Sequence, residues 1–92
     1  MVYYVYLIKT VKSKINKTYV GYTNNLKARI NKHNSNKGAK STKGYKWILI
    51  FKKKFNTKSD AMKAEIKIKK DSKFRNLIKQ RYIDNVNKQS SN

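Results

Sequence analysis

The only glutamate of the chain, Glu65, stands among 24 lysines and arginines and three other acids, Asp60, Asp71 and Asp84. On a helix starting near Ser59, Glu65 lies one turn after Ala61, beside Ala64 and three residues before Ile68. That spacing puts it on or beside the core-facing stripe. An acid there must be paired, protonated or bound to a metal. An exposed edge position beside a lysine fits the spacing equally well. Asp60 falls in the first turn of the same helix, where it complements the helix dipole.

A second cluster repeats the pattern. Leu26, Arg29, Ile30 and His33 follow a helical spacing, so Arg29 and His33 are neighbours one turn apart. A snorkelling arginine and a surface histidine would give the same spacing. The chain also holds 7 tyrosines. Tyr3, Tyr4 and Tyr6 share one strand-like segment, and Tyr19 and Tyr22 share the next. Alternation puts Tyr4 and Tyr6 on one face and Tyr3 on the other. Ordinary strand propensity accounts for most of them. A phenol in a basic site can also contact phosphate, or pass a proton if its pKa is lowered.

These residues need elements to position them. Val2 to Ile8 is rich in tyrosine and valine and reads as a strand. Val11 to Asn16 is a turn, and Lys17 to Tyr22 is a second strand, so a hairpin is expected. A helix follows from about Asn24 to Asn34, capped by Thr23 or Asn24. Ser35 to Lys46 is a basic loop with two glycines. Trp47 to Phe55 is a third strand. Its first half is apolar throughout, as in a central buried strand. A second helix begins within Asn56–Ser59 and runs to about Lys70, with Ala61, Ala64, Ile68, Met62 and Ile66 as a broad apolar face. A third carries Phe74, Leu77, Ile78 and Tyr82 and ends near Val86. The domain is expected over residues 1–86, with residues 87–92 a polar tail. The expected class is α+β, in the order β-β-α-β-α-α. Connection length alone leaves the direction of the third strand open.

The formal charge of +20 attracts polyanions, and nucleic acids are the commonest of these. A solvated surface or a membrane surface would use the same charges. There is no cysteine and one histidine, which excludes a disulfide framework and a Cys- or His-cluster metal site. The longest apolar run, Trp47 to Phe51, is far too short for a membrane span. With no signal peptide visible, an intracellular protein is expected, cytoplasmic or nucleoid-associated, or in the host compartment if the chain is viral.

The ordered set Tyr4-Val5-Tyr6, Tyr19-Val20-Gly21, Arg29 and Glu65 resembles the GIY-YIG nuclease superfamily, in its small stand-alone, single-domain branch. The stretch YVGYTNNLKARINKHNSNKGAKSTKG is the most specific part, and the likeness covers about residues 2 to 80. The resemblance implies a three-stranded antiparallel sheet flanked by helices. It implies a phosphodiesterase dependent on one Mg²⁺ or Mn²⁺. Glu65 matches the metal-ligating carboxylate, Arg29 the arginine on the scissile phosphate, and Tyr19 the tyrosine that takes a proton from water. Tyr6 matches the other motif tyrosine, His33 a position using His or Tyr, and Gly21 the motif glycine beside the substrate.

The chain departs from the family pattern in places. Tyr4 replaces a motif glycine, Tyr22 stands where some members carry lysine, and Asn36 replaces a loop glycine. Leu77 stands where larger members carry asparagine, and the adjacent Asn76 is assigned no role.

The expected activity is therefore metal-dependent endonucleolytic cleavage of DNA, on branched, nicked or single-stranded substrates in repair or recombination. Lys37, Lys40 and Lys43 are expected to bind substrate. The expected partners are DNA and a targeting protein. A non-catalytic basic nucleic-acid-binding module and a small basic structural protein are the alternatives.

Overall fold

The protein is described by a computed structural model over residues 1–90. Three strands, β1 (Tyr3–Val11), β2 (Thr18–Thr23) and β3 (Lys46–Phe55), and three helices, α1 (Leu26–Asn34), α2 (Lys58–Lys70) and α3 (Ser72–Ser90), follow in the order β1-β2-α1-β3-α2-α3. The sheet has the order β2-β1-β3, and both pairings are antiparallel. The α+β class and the antiparallel sheet follow the sequence expectation.

Alternation along β1 divides the core. Val5 and Leu7, with Val20 of β2 beside them, face α2 and α3, where Ala61, Ala64, Ile68 and Ile78 cover them. Tyr6 and Ile8 face the other way, toward Leu26 and Ile30 of α1 and Trp47. Thr10 closes the β1–β2 hairpin: its hydroxyl donates to Ile15 O at 2.7 Å and accepts from Lys17 N at 3.1 Å.

The central strand is β1, not the Trp47–Phe51 segment. β3 lies at an edge, and its apolar run has another cause. Leu7 pairs with Phe51 and Ile8 with Leu49, leaving Ile50 as the extra residue of a bulge. Trp47 and Leu49 therefore contact one core layer, while Ile50 and Phe51 contact the other. Lys52, Lys53 and Lys54 then leave the far half of this edge strand exposed and charged, a pattern that discourages edge-to-edge pairing.

The helical faces are narrower than expected. Met62, Ile66 and Leu77 are exposed at 41%, 50% and 50%. The third helix starts earlier than expected, because the Asp71 carboxylate accepts from Phe74 N at 3.0 Å. It also runs past Val86 to Ser90, so residues 87–90 of the expected polar tail are helical. Residues 91 and 92 of that tail lie outside the described residues.

Candidate active site

The turn after β2 starts α1 on a side-chain cap. Asn25 Oδ1 accepts from Ala28 N at 3.2 Å. This cap sets the rotation of α1, so that Leu26 and Ile30 enter the core and Arg29 points along the flank toward β1. α2 begins on a second cap, with Thr57 Oγ1 accepting from Asp60 N at 3.1 Å. Two turns along it, Glu65 comes beside the outer strand β2.

An open cavity of about 460 Å³ lies between these elements. It is lined by Tyr6, Tyr19, Gly21 and Arg29, by Glu65 and Lys58 from α2, and by Tyr22, Thr23, Asn24 and Lys32. Five of the residues expected from sequence, Tyr6, Tyr19, Gly21, Arg29 and Glu65, thus meet in one place. A groove of about 610 Å³ on the other side is floored by Phe51, Phe55, Ala64, Ile68 and Phe74 and holds neither the arginine nor the tyrosines.

Tyr6 is fully buried beneath the cavity wall, and its phenol is held on two sides. Arg29 Nε donates to Tyr6 Oη at 3.4 Å, and Tyr6 Oη lies 2.8 Å from His33 Nε2. Burial pushes the Tyr6 pKa up to about 12, against the lowering influence of Arg29. Tyr6 is thus a neutral hydrogen-bond donor at neutral pH. Hydrogen bonding to Tyr6 raises the already high pKa of Arg29 against the lowering influence of burial, so it remains a fixed cation.

His33 does not line the cavity. It is 0% exposed and sits behind Tyr6, with its ring centroid 4.9 Å from that of Tyr19. Burial, and then the nearby Arg29 charge, lower its pKa below the usual 6.5. The imidazole is therefore neutral near pH 7 and acts on the site through Tyr6.

The depressed His33 pKa makes folding stability pH-dependent. The unfolded chain binds this proton more readily than the folded chain. The stabilisation is fully present above about pH 6.5 and is lost as pH falls from there through the folded-state value. His33 is the one side chain whose ordinary pKa lies between pH 5 and 8. The melting temperature is expected to hold between pH 7 and 8 and to fall toward pH 5. A flat profile from pH 8 to 5, or an imidazole NMR titration at 6.5 or above, would contradict this origin.

Glu65 has both characters that its spacing allowed. Its side chain is 17% exposed and pairs with Lys69 Nζ, one turn on, at 3.4 Å. Among the described residues there is no group of three His, Cys, Asp or Glu able to hold a metal ion. Glu65 is the one carboxylate lining the cavity among the described residues.

Gly21 serves Tyr6 directly. An ideal Cβ at Gly21 would fall within 3.0 Å of Oη, Cζ and Cε1 of Tyr6. Lys37, Lys40 and Lys43 are exposed on the loop after α1 and do not line the cavity. The loop instead encloses His33. A Cβ at Gly38 would come within 3.0 Å of three ring atoms of His33. Asn34 joins the loop to β3, its Oδ1 accepting from Trp47 N at 2.6 Å and its Nδ2 donating to Trp47 O at 3.1 Å. Asn36 takes a positive φ of 65° just past the end of α1. Its N–H donates to His33 O, and Lys37 N donates to Lys32 O at 2.8 Å. This left-handed helix ending accepts asparagine as well as glycine, which explains the missing loop glycine.

Sequence reasoning missed Lys32, Lys58 and Gly38. Lys58 carried a readable signal, since it lies seven residues before Glu65, two turns along the same helix face. Lys32 and Lys58 add two cations to the lining of this cavity.

A buried tyrosine–histidine pair lies behind an arginine beside the small antiparallel sheet, and the arginine shares one open cavity with the lone carboxylate of α2. The family model for the GIY-YIG catalytic domain matches residues 2–79, and the chain belongs to that family. Its relatives are UPF0213 proteins. The one from Staphylococcus haemolyticus is 45% identical over 76 residues, covering 82% of this chain and 89% of the relative. The one from Oceanobacillus iheyensis is 40% identical over 76 residues, covering 82% and 85%. The solution NMR structure of a UPF0213 protein from Bacillus halodurans is 33% identical, with a TM-score of 0.47 and coverage of 91% of this chain and 84% of that one.

Proposed function

We propose that this protein is a divalent-metal-dependent endonuclease that hydrolyses DNA phosphodiester bonds, with branched, nicked or single-stranded DNA as its substrate. The observation that carries this reading is the meeting of Glu65, Arg29, Tyr6 and Tyr19 in one basic cavity. A pure binding module would need the lysines but not a largely buried glutamate facing an arginine.

The residues fit a hard cation. Mg²⁺ is held by one or two carboxylates and keeps several waters, so the single, mostly buried Glu65 is sufficient and a protein cage is not needed. A bound Mg²⁺ or Mn²⁺ supplies Lewis-acid stabilisation of the phosphate. The chain's own groups do the rest. Arg29 is held by Tyr6 through Nε, which leaves the other N–H donors of its fork for phosphate oxygens. Tyr19 is half-buried on the cavity wall and takes the proton of the attacking water as it passes its own phenol proton to solvent in the open cavity. Tyr6, hydrogen-bonded to His33 Nε2 at 2.8 Å, presents a fixed phenol oxygen to the phosphate. Lys32 and Lys58 hold the flanking phosphates.

The test is cleavage of plasmid, single-stranded and branched DNA in Mg²⁺ or EDTA, comparing wild type with Glu65→Gln. Wild type is expected to cut in Mg²⁺ and not in EDTA. Glu65→Gln is expected to cut at least about a hundredfold more slowly while binding DNA as well as wild type. Equal rates would remove Glu65 from the site. Binding without cutting on every substrate would leave a nucleic-acid-binding module.

A further inference from the structure

The loop after α1 places one further group at the site. Thr42, in the short 3₁₀ turn Lys40–Thr42, is 0% exposed although it is polar. Its hydroxyl donates to Ala39 O at 2.8 Å and lies 2.9 Å from His33 Nδ1. The backbone holds it on two further sides. Thr42 N donates to Ala39 O at 3.0 Å, and Thr42 O accepts from the Trp47 indole at 3.0 Å. No side chain at position 38 intervenes, because a Cβ there would meet His33 Nδ1.

Proton counting gives this arrangement a direction. A hydroxyl has one proton and two acceptor lone pairs. The Thr42 proton goes to Ala39 O, since a carbonyl can only accept. Nδ1 must then donate to Thr42. In a neutral ring, Nε2 is left as the acceptor. The Tyr6 hydroxyl proton goes to Nε2, and the Tyr6 oxygen is left to accept from Arg29. The chain runs one way, from the Arg29 guanidinium through Tyr6, His33 and Thr42 to the Ala39 carbonyl.

We propose that Thr42 is a positioning residue for the candidate active site: its hydroxyl holds His33 as the Nδ1–H tautomer, so that Nε2 takes the Tyr6 proton and the Tyr6 oxygen faces Arg29 and the cavity. With the opposite tautomer, Nε2–H would donate to Tyr6 and turn the phenol proton toward the Arg29 cation or the substrate phosphate. Either Nδ1 would then lack a donor, or Thr42 would turn its proton to Nδ1 and take it from Ala39 O, 2.8 Å away. The effect on rate rests on the nuclease reading above. The effect on the tautomer does not.

The chain has one histidine, so imidazole ¹⁵N correlation spectra report His33 alone. They are recorded near pH 8 on wild type, Thr42→Val and Thr42→Ser, and DNA cleavage is measured on the same samples. Wild type and Thr42→Ser are expected to show the neutral Nδ1–H form. Thr42→Val keeps the shape but lacks the hydroxyl. It is expected to shift the ring toward Nε2–H and to cut roughly tenfold to a hundredfold more slowly, the scale on which partners that orient a functional histidine act. Thr42→Ser should restore the rate to within about threefold.

An Nε2–H ring in wild type overturns the proposal. So does a folded Thr42→Val protein that keeps Nδ1–H, or one that shifts tautomer yet cuts at the wild-type rate. If Thr42→Val does not fold, Thr42→Ser decides, and an Nε2–H ring there also overturns it. A wild type that cuts no DNA, together with a tautomer that follows the hydroxyl, removes the nuclease reading and supports the role of Thr42 in setting the ring.

Discussion

Arg29→Lys slows DNA cleavage by about a hundredfold to a thousandfold while leaving DNA binding within a few-fold of wild type. Lysine keeps the positive charge, so a purely electrostatic role would survive the change. It cannot keep the geometry. Arg29 reaches Tyr6 Oη with Nε at 3.4 Å, and the planar fork leaves its remaining donors to grip two phosphate oxygens. An ammonium carries its three donors on one nitrogen, so it cannot span the phenol and two phosphate oxygens as the fork does. With 24 Lys and Arg on the chain, one cation more or less hardly alters the attraction of DNA. The loss should therefore appear in single-turnover rates and not in affinity. A folded Arg29→Lys protein cutting within threefold of wild type would show that charge alone suffices. A loss of affinity matching the loss of rate would show that Arg29 is one more backbone contact.

The same contrast between charge and geometry decides what was legible in the sequence. The ordered set Tyr6, Tyr19, Gly21, Arg29 and Glu65 was readable through its resemblance to the GIY-YIG pattern, whereas spacing alone fitted an exposed Glu65 equally well. The elements that carry them were also readable. What failed depended on contacts between distant parts of the chain. Trp47–Phe51 looked like a central strand because every residue is apolar. A bulge at Ile50 and two covering layers produce the same run in an edge strand. Met62 and Ile66 have the spacing of a core stripe, yet α3 does not cover them. Thr42 had no signal at all, since a threonine among lysines and glycines looks like solvent-exposed loop. Its burial follows from the left-handed turn at Asn36 and from the Asn34–Trp47 hydrogen bonds, which fold the loop back over His33.

Position 21 joins the fold to the site most tightly, and Gly21→Ala is expected to damage both. Gly21 is the direct strand partner of Tyr6, and the Tyr6 ring lies across the space that a side chain would need. A single added methyl meets three ring atoms within 3.0 Å. The ring cannot yield easily, because it is 0% exposed and its hydroxyl is held by Arg29 and His33. Overfilling a core site of this kind costs about 1–3 kcal/mol. In a domain of this size that lowers the melting temperature by roughly 5–20 °C. If the ring swings away to make room, Tyr6 Oη leaves His33 Nε2 and cleavage falls as well, even well below the melting point. Gly44→Ala is the control. Gly44 has a φ of 86° and nothing within 4 Å of its Cβ, so alanine there strains the backbone, costing about 1 kcal/mol, without touching the site. The expected pair of results is a stability loss in both variants and a cleavage loss in Gly21→Ala alone. If Gly21→Ala melts and cuts like wild type, the Tyr6 ring is free to move, and the fixed phenol on which the site depends does not exist.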